Sequence, residues 1–253
     1  MRSAMSDKNL IRQRFHRGLQ SYDQAAVIQH VMARRMVAIL EAHTAGKFER
    51  IFEIGCGAGV LTRLLPHHLD YQDLAVNDLV PECVRYLEQV PNLTFVPGDI
   101  EKLQDWPEKN DLILSNAVFQ WLNNPAQVIA HCRDSLRPRG ILCFSSFGPE
   151  NMRQIRMVLG KGLHYYTLAE FCDLVKDDFE IIQADEECST LEFNSPLAVL
   201  RHFRATGVAA LERMWWTKNR LEEFCRQYQE QFSNQNGNVE LTYHPLYVTV
   251  RRK

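Results

Sequence analysis

Seven consecutive residues, Glu53-Ile54-Gly55-Cys56-Gly57-Ala58-Gly59, decide the fold of this chain. They begin at the end of a short apolar run at 51–54 and precede a second apolar run at 60–65. Closely spaced glycines let the main chain turn sharply and let a ligand approach its N–H groups. We therefore predict a strand, a tight turn and a helix whose first residues add partial positive charge to a ligand pocket.

The spacing of the glycines indicates which ligand the turn would hold. It is G-x-G-x-G, whereas the dinucleotide fingerprint requires G-x-G-x-x-G, and Val60 occupies the position of the last glycine in that pattern. This difference favours S-adenosylmethionine over NAD as the expected cofactor.

Strands and helices are predicted to alternate downstream of the turn. Apolar runs predict strands at 74–77, 93–96, 111–115 and 141–147, with helices at 81–87 and 127–136. This rhythm is typical of βαβ units and of a parallel sheet covered by helices on both faces, so the predicted fold class is α/β and Rossmann-like.

The two flanks of this core have different patterns. A basic, amphipathic lead-in at 7–20 precedes a predicted helix at 22–42. After residue 148 we predict helices at 151–159, 167–174, 197–206 and 219–232, one strand at 179–190 and one long closing strand at 239–252. Thr167 and Glu170 form a capping-box pattern at the start of the second of these helices. We expect one domain over 1–253, with a helical lid at 1–45, a cofactor-binding core at 46–148, a substrate cover plus strand six at 149–235, and the last strand at 236–253.

Composition excludes several function classes. The net charge is −2, so no global field would attract nucleic acid or a membrane surface. No apolar run reaches 18 residues and the first residues lack the apolar core of a signal peptide, so we expect a cytoplasmic protein. Seven cysteines occur without a C-x-x-C pair, which favours reduced thiols, and no spacing of metal ligands is present.

Ligands of parallel sheets bind at the carboxyl ends of the strands, and polar residues of this sequence lie at those positions. Asp78 ends the second strand, where a carboxylate accepts from a ribose diol, and Asp99 follows the third, where an acid accepts from the adenine amine. Glu53 would orient the glycine turn or meet the amino group of the methionine portion. The candidate cofactor-binding residues are Tyr22, Gln29, Glu53, Gly55, Cys56, Gly57, Gly59, Asn77, Asp78, Asp99, Ile100 and Asn116.

Four longer stretches carry a family resemblance over nearly the whole chain. They are 15–29, with Phe15-His16-Arg17-Gly18 and Ser21-Tyr22-Asp23-Gln24-Ala25-Ala26; 115–121, Ser-Asn-Ala-Val-Phe-Gln-Trp; 144–156; and 200–207, ending in Ala-Thr-Gly. Together they resemble the malonyl-acyl-carrier-protein O-methyltransferases of biotin synthesis. His16 departs from that family, in which serine is expected. The Asn-Gln-Trp neighbourhood is also similar to that of trans-aconitate methyltransferases.

The resemblance implies a seven-stranded sheet with its last strand antiparallel and a helical cover over the substrate. It also implies that a methyl group passes from S-adenosylmethionine to the free carboxylate of a malonyl thioester on acyl carrier protein, leaving S-adenosylhomocysteine. A carboxylate is ionised at pH 7, so the reaction requires no general base and we assign no catalytic acid or base. The rate acceleration would come from positioning the carboxylate oxygen and from removing its hydration water.

Substrate binding points to a second group of candidates. Arginine recognises a carboxylate through two parallel hydrogen bonds, and basic side chains near the entrance would also attract an acidic carrier protein. Trp121 would shape the substrate channel. The candidate substrate-binding residues are Gln120, Trp121, Arg153, Arg156, Arg201 and Arg204.

Several alternatives stay open at this point. The acceptor would otherwise be another small molecule such as trans-aconitate or a quinone precursor, or malonyl-coenzyme A in place of the carrier protein. A non-catalytic binding module with a methyltransferase-like fold is the rival from a different class. An NAD-dependent dehydrogenase is disfavoured by Val60. The sequence does not determine the oligomeric state.

Overall fold

The computed structural model describes residues 7–160, 162–205 and 216–253, and two helices begin it. Helix α1 spans Lys8–Ala25 and helix α2 spans Val27–His43. The carboxylate of Asp7 caps α1 by accepting from the N–H groups of Asn9 and Leu10, so the helix begins within the predicted lead-in. The prediction of a single helix at 22–42 was therefore wrong. The chain breaks helical geometry at Ala26, which is fully buried and lets both helices reach the core.

Seven strands of the described residues form one sheet. They are β1 (Lys47–Ile54), β2 (Asp70–Asp78), β3 (Leu93–Pro97), β4 (Asn110–Ser115), β5 (Leu136–Phe147), β6 (Phe179–Glu186) and β9 (Pro245–Arg252). Their order is β3-β2-β1-β4-β5-β9-β6. Strands β1 to β5 run parallel, and β9 is antiparallel to both of its neighbours, β5 and β6. The expected seven-stranded sheet with an antiparallel last strand is confirmed.

Two predicted long strands are each interrupted. Residues 179–190 divide into β6 and β7 (Ser189–Phe193), and residues 239–252 divide into β8 (Val239–Tyr243) and β9. Strands β7 and β8 pair with each other in a separate antiparallel sheet. The second interruption lies at His244, whose carbonyl accepts from the N–H of Gly148 just past the end of β5. Residues before His244 therefore have no partner in β5. They form β8, which pairs with β7 instead.

The helices of the second half agree closely with the predicted ones. They are α4 (Pro125–Ser135), α5 (Arg153–Leu159), α6 (Leu168–Val175), α7 (Pro196–Ala205) and α8 (Lys218–Phe232). The capping box is confirmed, because Thr167 accepts from the N–H of Glu170 while the Glu170 carboxylate accepts from the N–H of Thr167. No helix within the described residues is long and apolar enough to cross a membrane.

Two helices expected between the first strands differ from the prediction. The segment after the glycine turn forms successive turns, and the only α-helix there, α3, spans Leu65–His68. Gly57 and Gly59 have φ values of 54° and 77°, which are incompatible with a helical ladder starting at the loop. The segment after β2 is a 3-10 helix over Pro81–Tyr86 rather than an α-helix.

The core has two halves, one on each face of the sheet. Because side chains alternate along a strand, Ile51 enters one buried cluster while Phe52 enters the other. Helix α2 packs in the first cluster, and helices α4 and α6 pack in the second. The carboxyl ends of β1 to β4 are left uncovered by these layers, and that edge is where the pocket lies.

Candidate cofactor and substrate pocket

A pocket opens at the carboxyl ends of β1 to β4, beneath helix α1. It holds about 1170 Å³ of empty space, including the part open to solvent. Its walls include most of the predicted cofactor residues and residues of both N-terminal helices. Of the predicted residues, those that line it are Tyr22, Gln29, Glu53, Gly55, Cys56, Gly57, Asn77, Asp78, Asp99, Ile100, Asn116, Gln120 and Trp121.

The glycine turn is held against the end of β2. The N–H groups of Gly55 and Cys56 both donate to the carbonyl of Asn77, at 2.8 and 2.9 Å. The N–H of Gly57 donates to Asp78 Oδ2 at 2.8 Å, and the N–H of Val80 donates to Asp78 Oδ1 at 2.8 Å. Asp78 therefore fixes the turn from the neighbouring strand.

The ends of β2 and β3 are joined in the same way. Asn77 Nδ2 donates to the carbonyls of Val96 and Gly98, at 2.9 and 3.0 Å, and the N–H of Gly98 donates to the carbonyl of Asp78. These bonds bring Asp99 to the same edge as Asp78, as the sequence predicted from parallel strand ends.

Helix α1 closes this edge. Lys8 Nζ lies 2.5 Å from Glu101 Oε2 and 3.9 Å from Asp99 Oδ1, and it donates to the carbonyl of Trp121 at 3.0 Å. Burial alone would raise the pKa of Glu101, but the bonds from Lys8 and from two backbone N–H groups outweigh it and lower that pKa. Phe15, seven residues after Lys8 on the same helix, lies against Gly57. A methyl group on that glycine would be 3.2 Å from the Phe15 ring.

Tyr22 of α1 was predicted to line the pocket, but three further residues of that helix were not. Lys8, Ile11 and Phe15 all line it. Their spacing of three and four residues is the signal that would have placed them on one face of a helix.

Two buried acceptors in the pocket wall have no hydrogen-bond donor. They are Gln29 Oε1 and Glu53 Oε2. Burial raises the pKa of Glu53 to about 8, while Thr62 lowers it and the charge of Asp78 raises it further. An unpartnered buried acceptor is costly, so this part of the pocket suits a ligand cation with several N–H donors. The amino-acid portion of S-adenosylmethionine carries such an ammonium group, and the pocket therefore fits the expected cofactor.

Polar groups at the ends of β4 and β5 shape the opposite wall. Asn116 Nδ2 donates to the carbonyl of Gln29 at 3.1 Å, and Asn116 Oδ1 accepts from Ser145 Oγ at 2.8 Å. Gln120 Nε2 donates to the carbonyl of Ala117, and Gln120 Oε1 accepts from Ser146 Oγ at 3.3 Å. Both amides hydrogen-bond to other groups of the protein, and these bonds fix the shape of this wall.

Five predicted site residues do not line this pocket. Gly59 instead faces Leu87 and the side chain of Arg63. The four candidate arginines lie on α5 and α7 outside the pocket wall: Arg153 pairs with Glu150, Arg156 donates to the carbonyl of Pro149, and Arg201 and Arg204 are exposed. Helical spacing alone did not show which arginines would face the pocket and which would face away from it.

A pair of residues on the substrate side was also missed. Asn151 and Tyr165 line the pocket beside Phe147 and Leu163, and Asn151 Nδ2 donates to the Tyr165 hydroxyl at 3.0 Å. Arg156 reaches this pair from behind, with its guanidinium carbon 5.5 Å from the centre of the Tyr165 ring. No motif marks these positions, because they meet only after the cover has folded onto the sheet.

Comparisons with known proteins support the fold and the family. The N-methyltransferase NodS from Bradyrhizobium japonicum, solved with S-adenosyl-L-homocysteine, has the same fold, with a TM-score of 0.55 at 17% identity over 96% of this chain and 98% of its own. A family described as a methyltransferase domain matches residues 52–144. The malonyl-acyl-carrier-protein O-methyltransferase of Chlorobium luteolum is 39% identical over 99% of this chain and 98% of its own length. That of Prosthecochloris aestuarii is 40% identical over 97% and 94%.

The chain belongs to the malonyl-acyl-carrier-protein O-methyltransferase family. The resemblance found in the sequence is thereby confirmed. Membership of this family also makes the chain an enzyme of the methyltransferases that use S-adenosylmethionine, which removes the dehydrogenase and the non-catalytic module as alternatives.

Proposed function

We propose that this methyltransferase transfers a methyl group from S-adenosylmethionine to the free carboxylate of a malonyl thioester carried by acyl carrier protein. The products are the methyl ester and S-adenosylhomocysteine. The observation that carries the proposal is the full-length similarity to relatives bearing that name, at 39% and 40% identity, together with a pocket whose expected cofactor residues meet at one edge.

The residues that would hold the cofactor divide by strand. Asp78 would accept from the ribose hydroxyls, Asp99 and Ile100 would hold the adenine, and Glu53 with Gln29 would receive the ammonium group. When bound, S-adenosylmethionine supplies a methyl group on a positively charged sulfur, which makes it an electrophile.

The protein's own part in the reaction is to position the acceptor carboxylate and to exclude water from it. A malonyl carboxylate is already ionised at pH 7, so its oxygen can attack without a general base. Phe15 and Tyr22 on α1, together with Trp121, give the pocket aromatic walls that would restrict the access of water. Exclusion of water removes the hydration shell that would otherwise shield the attacking oxygen.

Acyl carrier protein is the proposed partner, with malonyl-coenzyme A as the alternative carrier of the same malonyl group. The cytoplasm is the proposed location, since all seven cysteines of the chain are free thiols.

The deciding assay measures transfer of a labelled methyl group by the purified protein. Malonyl-acyl carrier protein, malonyl-coenzyme A, trans-aconitate and acetyl-acyl carrier protein are offered as acceptors. We expect the malonyl carrier protein to be methylated fastest and the acetyl form, which lacks the carboxylate, not at all. A higher kcat/KM for free trans-aconitate would overturn the carrier-protein substrate. Restored biotin-independent growth of a host lacking its own malonyl methyltransferase would support it in cells.

A further inference from the structure

The feature that extends this function is the hydrogen-bonded pair formed by Asn151 and Tyr165. Both side chains line the pocket, and they are 1% and 8% exposed. Asn151 follows the end of β5, whereas Tyr165 lies on the segment between α5 and α6. The pair therefore joins the sheet to its cover on the substrate side of the pocket.

The direction of the bond in this pair is fixed by the backbone. Asn151 Oδ1 accepts from the N–H of His244 at 3.4 Å, and a backbone N–H can only donate. The amide nitrogen of Asn151 must then face Tyr165, whose oxygen accepts from it at 3.0 Å. The hydrogen of the Tyr165 hydroxyl is consequently not used in this bond and is available to a ligand in the pocket.

The surroundings keep this hydroxyl protonated and favour an anion near it. Burial raises the pKa of Tyr165, although Asn151 and the charge of Arg156 each lower it. The Arg156 guanidinium lies behind the ring, 5.5 Å from its centre. A neutral phenol with a cation behind it is a stronger donor to an anionic acceptor than an isolated phenol.

The neighbouring amides each use one of their two N–H donors within the protein. Gln120 Nε2 donates to the carbonyl of Ala117, and Asn116 Nδ2 donates to the carbonyl of Gln29. Tyr22 and Trp121 also line the pocket, but the bond from Asn151 singles out Tyr165 as a hydroxyl whose hydrogen faces away from a buried amide.

We infer that Tyr165 donates a hydrogen bond to one oxygen of the malonyl carboxylate, and that Asn151 is the positioning residue that aims it. This inference rests on the proposed function. A bond to one carboxylate oxygen leaves the other free to attack the methyl group. It also discriminates against acyl groups that lack the carboxylate, because they leave the buried donor unpaired.

The test compares Tyr165→Phe with Tyr166→Phe, the same change one residue along the chain. Tyr166 packs on Phe171 and does not line the pocket. We expect Tyr165→Phe to lower kcat/KM for malonyl-acyl carrier protein by about 10- to 100-fold, the usual effect of losing a hydrogen bond to a charged group. The affinity for S-adenosylhomocysteine, measured by calorimetry, and the inhibition constant of acetyl-acyl carrier protein should stay unchanged, and Tyr166→Phe should behave as the wild type.

Asn151→Asp provides the second arm. A carboxylate there would accept from both His244 and Tyr165, and so turn the phenolic hydrogen away from the substrate. We expect the same selective loss with the malonyl substrate and no change in S-adenosylhomocysteine affinity. Wild-type kcat/KM in Tyr165→Phe, or a parallel loss of S-adenosylhomocysteine affinity, would overturn the inference while leaving the proposed function intact. A wild-type protein inactive on malonyl thioesters would overturn both.

Discussion

Asp78 shows how one residue determines the shape of the cofactor site. Its carboxylate accepts from Gly57 and Val80, which lie on either side of it in the fold but 21 and 2 residues away in sequence. Burial raises the pKa of Asp78 despite the hydrogen bonds that lower it. The site therefore holds a carboxylate in place by donated N–H groups rather than by a counter-ion.

Replacement of Asp78 by Asn should weaken cofactor binding. The amide offers one oxygen for two N–H donors, so one backbone donor would face an NH₂ group and the glycine turn would shift. We expect the Kd for S-adenosylhomocysteine, measured by calorimetry, to rise by about 10- to 100-fold. Asp70→Asn, the same change at the exposed start of β2, is the matched control and should leave the Kd unchanged. Equal Kd values for wild type and Asp78→Asn would contradict the role given to Asp78.

Glu53 should make cofactor binding depend on pH. Burial raises its pKa to about 8, so below that pH it is largely neutral. An ammonium group beside it favours the ionised form, and binding below pH 8 must therefore release a proton. We expect the affinity for S-adenosylhomocysteine to rise with pH between about 6 and 8, by up to about tenfold per unit, and then to level off.

The control for this pH dependence is Glu53→Gln, which keeps the size of the side chain but cannot ionise. Its binding should be weaker and nearly flat across the same pH range. A pH slope that persists in Glu53→Gln would assign the titration to another group.

At the scale of elements, we propose that helix α1 acts as a lid over the cofactor end of the pocket. It meets the rest of the pocket through the Lys8 ion pair with Glu101 and through Phe15 on the glycine turn. The side chains of Lys8 and Glu101 are 18% and 10% exposed, so this pair is shielded from solvent more than a surface pair. Such a pair loses more when one partner is removed than exposed pairs do.

Lys8→Met should loosen the lid, because it leaves Glu101 without its cation. We expect S-adenosylhomocysteine to dissociate about tenfold faster in stopped-flow measurements. Trypsin should also cleave within α1 more readily. Lys218→Met removes an exposed pair with Glu222 on α8 and should change neither rate. Unchanged release in Lys8→Met would show that the pair does not hold the lid.

At the scale of the whole molecule, the N-terminal helices, the sheet and the second half of the chain all contribute to one of the two hydrophobic clusters. A single buried cluster includes Leu19 of α1, Leu74 of β2, Phe224 of α8 and Leu241 of β8. Elements that share a core are expected to unfold together.

We therefore expect one cooperative thermal transition for the entire chain. The midpoint followed by far-ultraviolet circular dichroism, which reports on all elements, should coincide with that followed by tryptophan fluorescence. S-adenosylhomocysteine should shift both midpoints upward by the same amount. Two separate transitions would show that the cover folds independently of the cofactor core.

The sequence by itself determined the cofactor edge and the architecture of the sheet. Glu53, the glycine turn, Asp78 and Asp99 all lie at or just beyond the carboxyl ends of parallel strands. These ends share one edge, so local pattern was sufficient to bring the residues together. The capping box at Thr167 was equally local, since both of its partners lie within one helical turn.

Only the tertiary structure decided the substrate side of the pocket and the division of the last strand. Asn151, Tyr165 and His244 meet across 93 residues of sequence, and the outward direction of Arg153 depends on how α5 packs. The division of the last strand at His244 likewise depends on where its partner β5 ends. These features arise from contacts between distant segments, and no periodicity along the chain carries information about such contacts.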